Sequence, residues 1–306
     1  MSASPSLVSS PPGRVRAAVR AMRLHQWAKN ALVALPAALA HEITEAGTLA
    51  HVTIAFVALG LVASGTYVIN DLLDRERDAR HPTKRHRPFA SGALSPGFGW
   101  AFGPVLVALG IALGWALLPP LFTGALAVYL GTTLAYSLAL KRIVLVDVVV
   151  LAGLYALRVL AGGAATGIAV SEWLLAFSLF FFLGLALLKR YAELRILETE
   201  TGARDNGRGY TVEDAAMLRA LGPAAGFMAV LVFALYVTSP DVAALYARPD
   251  LLWLAAPLLA YWTMRMWMLA HRGDLTDEPV AYAVRDAASY VVVALTAGVL
   301  VLASLG

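Results

Sequence analysis

Long apolar stretches separated by short polar ones dominate the chain. A helix needs roughly 17–25 mainly apolar residues to cross a bilayer. Nine stretches meet that length: 28–44, 48–69, 99–119, 121–140, 144–168, 172–189, 217–239, 250–271 and 286–304. The first is the weakest, because His41 and Glu42 cut into its apolar core. It is retained because only nine crossings keep the cations on one side. The connections alternate in character. Those at 41–47, 119–120, 167–171 and 238–250 are short and poor in cations, whereas 70–97 and 190–213 are long and crowded with ionisable groups. The pattern predicts an all-α integral membrane protein, a bundle of nine transmembrane helices with a polar cap on one face.

Composition agrees. The 306 residues are 59% hydrophobic and only 14% charged, against about 25% in soluble domains. The absence of cysteine excludes disulfides, thiolate metal sites and cysteine nucleophiles. Of the 24 Lys and Arg residues, 22 fall at one end of the bundle; Arg158 lies within a span and Arg248 at the other end. Cations accumulate on the cytoplasmic side, so the N-terminus and polar cap are expected to be cytoplasmic and the C-terminus outside, in a cell (inner) membrane. Charge placed this way marks topology and anionic ligands, not nucleic acid. Residues 1–23 lack the apolar core of a signal peptide and read as a loose basic segment, leaving 24–306 as one membrane domain.

The densest polar segment is Asn70-Asp71-Leu-Leu-Asp74-Arg-Glu76-Arg-Asp78. If the helix of span two continues through it, Asn70, Asp71, Asp74 and Asp78 share one face. Aligned carboxylates repel unless a cation neutralises them, and an oxygen-only set suits Mg²⁺ completed by substrate phosphates. The plainer alternative pairs these acids with Arg75, Arg77 and Arg80. His81-Pro82-Thr83-Lys84-Arg85-His86-Arg87-Pro88 follows directly, and its Lys84, Arg85 and Arg87 suit phosphate or pyrophosphate. A metal–pyrophosphate site is the reading that uses both segments.

Other polar residues are sparser. Lys189 and Arg190, with Glu193 beyond them, stand at the cytoplasmic end of span six, either as phosphate ligands or as snorkelling cations. Tyr136 and Lys141 end span four, and Lys29 opens span one beside Trp27 and Asn30. Arg158 is costly inside a span and so faces a polar cavity or the bundle interior. Asp147 is eleven residues away, about 16 Å along a helix, too far to pair with it. Gly153, Gly162 and Gly163 suit close helix packing. In connection 8–9, Asp277 or Glu278 reads as a cap for a short helix opened by Pro279.

The N-D-x-x-D-x-x-x-D pattern after span two of an all-helical membrane protein resembles the UbiA-type intramembrane prenyltransferase superfamily, across residues 20–304. That resemblance implies Mg²⁺ and a polyprenyl substrate, with Asp71, Asp74 and Asp78 as metal ligands. Most members carry a second Asp-rich motif in connection 6–7; here Lys189-Arg190-Tyr-Ala-Glu193 stands there instead. Together with Arg23-Leu-His-Gln26-Trp27-Ala-Lys29-Asn30 and the His81–Pro88 loop, this resembles the decaprenyl-phosphate phosphoribosyltransferase branch. The branch implies a transferase joining 5-phosphoribosyl diphosphate (PRPP) to a polyprenyl phosphate in cell-wall precursor biosynthesis. Asp71, Asp74, Lys189 and Arg190 are then the expected catalytic residues. Substrate contacts are expected from Lys29, Asn70, Lys84, Arg85, Arg87, Tyr136, Lys141, Arg158 and Glu193. The partners are then PRPP and the lipid phosphate; a homo-oligomer is left open. Two rivals stand beside this expectation. One is conventional transfer of a prenyl group to an aromatic acceptor, with Glu198, Glu200 and Asp205 as an irregular second metal site. The other is a non-enzymatic lipid-phosphate carrier.

Overall fold

Lipid supplies no hydrogen-bond partner to the backbone, so a chain this apolar satisfies its amides within helices. The computed structural model describes residues 13–80, 84–199, 208–275 and 278–305, and these contain helices and connections but no strand. A short helix α1 (Arg14–Met22) leads into a 3₁₀ segment, Leu24–Ala34, and α2 (Leu35–Leu39). Then come α3 (Ala46–Leu73), α4 (Arg75–Arg80), α5 (Pro96–Leu117), α6 (Pro120–Leu138), α7 (Val146–Thr166) and α8 (Glu172–Thr199). The chain closes with α9 (Ala215–Val237), α10 (Pro240–Leu245), α11 (Ala255–Arg272), α12 (Pro279–Ala283) and α13 (Ala287–Ser304).

Among the described residues, seven helices are long and apolar enough to cross a membrane. The other two expected spans fall short of that measure for different reasons. Residues 28–44 are divided between the 3₁₀ segment and five-residue α2, with Pro36 at the start of α2. Residues 250–271 begin as a 3₁₀ turn, Pro249–Leu254, and continue as α11, where Arg265, His271 and Arg272 lower the hydropathy. At the N-terminus, the part of segment 1–23 expected to be loose includes α1, whose Ala17 and Ala21 are buried. They pack with Val68, Leu72, Phe89 and Leu106. Residues 1–12 lie outside the described residues.

Helices α3 and α7 form the centre: 61% of the apolar window of each is buried, against 22% for α5 and 17% for α13. One face of α7 joins α3, α6 and the 3₁₀ segment in a core around Leu59, Val62, Phe122 and Leu126. Its other face, through Val148, Ala152 and Tyr155, joins α8, α9 and α11. The approach of the 3₁₀ segment depends on Gly162, where a Cβ would collide with the carbonyl of Val33. Gly153, by contrast, has no neighbour within 4 Å of where its Cβ would be, so it does not serve the close packing expected of it. The 3₁₀ segment is thereby held against α7 and α3, which brings Lys29 to Glu278 and Asn30 to Arg158 of α7.

Candidate active site

Three groups of charged side chains gather at the end of the bundle where α3 stops and α7 begins. The first is built on the acidic stripe, which is not continuous. Helix α3 ends at Leu73; Asp74 leaves α geometry (φ −94°, ψ 5°) and α4 restarts at Arg75. This break divides the four residues expected on one face into two pairs. Asp71, 2% exposed, accepts from Arg23 Nη2 at 2.5 Å and Arg87 Nη1 at 3.1 Å. The same Arg87 nitrogen donates to Asp78 at 2.7 Å. Asp74 instead accepts from Lys141 Nζ at 2.8 Å, which also lies 3.4 Å from Asn70 Oδ1. Of the nearby arginines, Arg77 approaches Asp74 at 3.9 Å. The close partners of the acids come from far along the chain, because neighbours on a helix point outward around it.

The second group is built around a fully buried pair. Arg190 and Asp147 are both 0% exposed and meet at 2.5 Å through Nε and Oδ2. Arg190 also donates to Glu193 at 2.6 Å and to the Tyr136 hydroxyl at 3.1 Å. Tyr210 donates to the other Asp147 oxygen at 2.5 Å and accepts from the Leu145 amide at 2.8 Å. Arg208 adds a bond to Tyr136 at 2.9 Å. The sequence expects Arg190 to contact a phosphate; in the structure each of its three guanidinium nitrogens has a partner inside the protein. Burial of so large a cation is tolerated only with such pairing.

The third group centres on Glu278, which sequence reasoning missed as a site residue. Its Oε1 accepts from Lys29, from Lys189 at 3.4 Å and from the Tyr155 hydroxyl at 3.4 Å. Burial would raise its pKa, but Lys189 and Lys29 outweigh that and hold it far below the usual carboxylate range. Glu278 occupies the N-cap of α12 with Pro279 opening the helix, as the sequence expects, but its side chain makes no capping bond and turns to the lysines instead. Arg158 lies close by, bonded to Asn30 at 3.2 Å, the Leu154 carbonyl at 2.6 Å and Tyr129 at 2.9 Å. Its guanidinium is 5.2 Å from the centre of the Tyr155 ring. Arg158 thus faces the interior.

The loop cations are more open. Arg85 is exposed and lies 3.4 Å from its neighbour His86. Lys84 is half-buried; burial pushes its pKa down, and Arg87 adds to the effect. Of the proposed second metal site, Glu198 pairs with Arg195, while Glu200 and Asp205 lie outside the described residues, as do His81, Pro82, Thr83 and Asp277. Two signals pointed toward the missed residues: Glu278 sits in the Asp277-Glu278-Pro279-Val280 stretch, and Tyr210 follows Arg208-Gly209 in a cationic loop.

Among the described residues, no three His, Cys, Asp or Glu side chains gather closely enough to hold a metal alone. The donor set nevertheless fits Mg²⁺, which takes one or two carboxylates and fills its shell with phosphate and water. Asp71 and Asp78 already converge on one positive group, Arg87 Nη1. Asp74 is turned away toward Lys141, so a set of three carboxylates is reduced to a pair.

Comparison with known proteins bears on this arrangement. The UbiA prenyltransferase family profile matches residues 31–292. An uncharacterized protein of Sinorhizobium fredii, y4nM, is 38% identical over 92% of this chain, which spans only 55% of that relative's length. A decaprenyl-phosphate phosphoribosyltransferase of Mycobacterium tuberculosis is 34% identical, the alignment covering 92% of this chain and 93% of the relative. Among solved structures, a UbiA homolog from Archaeoglobus fulgidus bound to DMAPP and Mg²⁺ superimposes with a TM-score of 0.69. It shares 17% identity, over 94% of this chain and 98% of that one.

Proposed function

The chain belongs to the UbiA prenyltransferase family, and on that premise we propose that it transfers the 5-phosphoribosyl group of PRPP to a polyprenyl phosphate, releasing pyrophosphate. The observation that carries this reading is the meeting of Lys29 and Lys189 over one carboxylate, a cluster that shares no partner with the Asp71–Asp78 pair. A reaction with one diphosphate and two phosphate monoesters needs cations on that second side, where another carboxylate set would repel the ligands. The relative named a decaprenyl-phosphate phosphoribosyltransferase supports the same choice.

In this scheme an oxygen of the lipid phosphate attacks ribose C1 in line, and the C1–O bond to the diphosphate breaks with its electron pair. A phosphate monoester is largely ionised near neutral pH, so the step needs no strong general base. Asp71 and Asp78 would hold Mg²⁺, which supplies counter-charge to the leaving diphosphate. Arg23 and Arg87 flank the same position, and Lys84 and Arg85 extend it. Lys141 fixes Asn70 and Asp74. Lys29 and Lys189 orient the monoester phosphates. Arg190, Asp147, Glu193 and Tyr136 form the buried support beneath Lys189, and Arg158 fixes Asn30 beside Lys29.

The same reading takes residues 28–44 and 250–271 as two further crossings. That gives nine spans, with the N-terminus and site cytoplasmic and the C-terminus outside, supported by the one-sided placement of 22 of the 24 cations. The test is transfer of label from ribose-labelled PRPP into an organic-extractable, acid-labile lipid, with one pyrophosphate released per product. Label that stays in the aqueous phase while a prenyl diphosphate is consumed on an aromatic acceptor would reject the phosphoribosyl reading in favour of conventional prenyl transfer.

A further inference from the structure

Three donors from three elements converge on a single oxygen, Oε1 of Glu278: Lys29 of the 3₁₀ segment, Lys189 of α8 and Tyr155 of α7. Two ammonium groups and a phenol form a donor set suited to a phosphate oxygen. One carboxylate does not balance two lysines. Both the Lys189 and Tyr155 contacts are long, at 3.4 Å, so Glu278 does not use its donors fully. At the N-cap of α12 its side chain makes no capping bond, so the carboxylate is not tied to the helix end.

The surroundings hold further unused donor capacity. Asn30, next to Lys29 in sequence, is 1% exposed; its Oδ1 accepts from Arg158, and its Nδ2 has no hydrogen-bond partner among the described residues. Buried polar groups are nearly always satisfied, so a free amide donor here is consistent with an acceptor arriving from outside the chain. A small, partly open cleft lies beside Glu278, with Leu151, Leu185, Ala186 and Val280 in its walls and Lys189 at its charged edge. An apolar groove leading to a cationic oxygen site suits an amphiphile with an anionic head.

We infer that Glu278 Oε1 stands where an oxygen of a phosphate monoester binds, and that Glu278 withdraws to admit that group. The glutamate is an intramolecular competitor for Lys29, Lys189 and Tyr155. The inference rests on the proposed function for its ligands, since the lipid phosphate and the 5-phosphate of PRPP are both phosphate monoesters. The apolar cleft favours the lipid. The two lysines hold Glu278 ionised at neutral pH, so the competition persists under working conditions.

The test measures equilibrium binding to purified full-length protein in detergent, with no PRPP present. One arm uses radiolabelled polyprenyl phosphate in mixed micelles, the other ribose 5-phosphate in solution. Glu278→Gln keeps the shape and removes the charge, so at least one ligand should bind roughly ten- to a hundredfold more tightly. Adding Lys29→Ala to Glu278→Gln should abolish the gain. A gain for the lipid alone assigns the site to the acceptor, and a gain for ribose 5-phosphate alone assigns it to the donor. Unchanged or weaker binding of both overturns the inference, because Glu278 would then be holding the lysines in place for the ligand. If Glu278→Gln does not fold, Glu278→Asp should shift binding in the same direction, and wild-type binding by that variant overturns the inference equally. Tighter binding without label transfer from PRPP would reject the proposed function and leave the phosphate site standing.

Discussion

Replacing Arg190 by alanine tests whether this residue supports the site or touches substrate. In the folded protein its side chain is 0% exposed, and three bonds link it to Asp147, Glu193 and Tyr136 at 2.5, 2.6 and 3.1 Å. Removing it leaves Asp147, also 0% exposed, with Tyr210 as its remaining side-chain donor. Stranding one member of a buried pair costs about 3–5 kcal/mol, because the leftover charge has neither water nor partner. For a protein of this size that corresponds to a fall in melting temperature on the order of 10 °C. The assay is thermal unfolding of purified protein in one detergent, alongside Lys189→Ala, the adjacent cation. Lys189 is 27% exposed and makes one long contact, so its loss should shift melting by no more than about 1–2 °C, as for a surface ion pair. Substrate saturation should respond in the opposite order. A wild-type melting curve for Arg190→Ala with only a raised KM would refute the structural role and return Arg190 to the ligand contacts.

Three further outcomes are expected. Asp71→Asn or Asp78→Asn should abolish turnover without preventing membrane insertion, and EDTA should do the same to the wild type until Mg²⁺ is restored; full activity of Asp71→Asn in EDTA would end the metal reading. Lys189→Ala should weaken binding of a polyprenyl phosphate by roughly ten- to a hundredfold, the value of one charge-assisted phosphate contact, measured by filter binding in mixed micelles. The Glu278 cluster carries a pH signature, since its carboxyl is held low in the folded state. Its stabilisation is fully present above about pH 4.3, where an unfolded glutamate ionises, and is lost as pH falls toward the depressed folded value. The melting difference between wild type and Glu278→Gln should therefore stay constant from pH 7 to 5 and shrink on further acidification; a difference that grows with acid would contradict the pairing.

The sequence alone determined the properties that are local or periodic. Helix follows from the length of the apolar runs, because the bilayer leaves the backbone no other partner. The Asn70–Asp78 acids and the Lys84–Arg87 cations lie next to one another in the chain, so that charged cluster was legible. Arg158 was legible as an inward-facing residue because a charge in an apolar run has nowhere else to go.

What only the tertiary structure decided is which charges meet. Asp71 pairs with Arg23, 48 residues away, and Lys29 with Glu278, 249 residues away. No spacing rule spans such separations, since the contact exists only when α3, α7, α8 and the 3₁₀ segment pack together. The partner at the Asp74 break is equally remote: an unbroken helix satisfies the local pattern, yet Asp74 leaves it and pairs with Lys141, just beyond α6, while Asp71 and Asp78 share Arg87. Arg190 and Lys189 are neighbours with identical formal charge, and packing separates their roles. One turns inward onto Asp147 and the other stays at the edge of a cleft. A carboxylate's partner depends on what the fold brings within about 4 Å, and that distance is a property of the packed bundle, not of the order of residues.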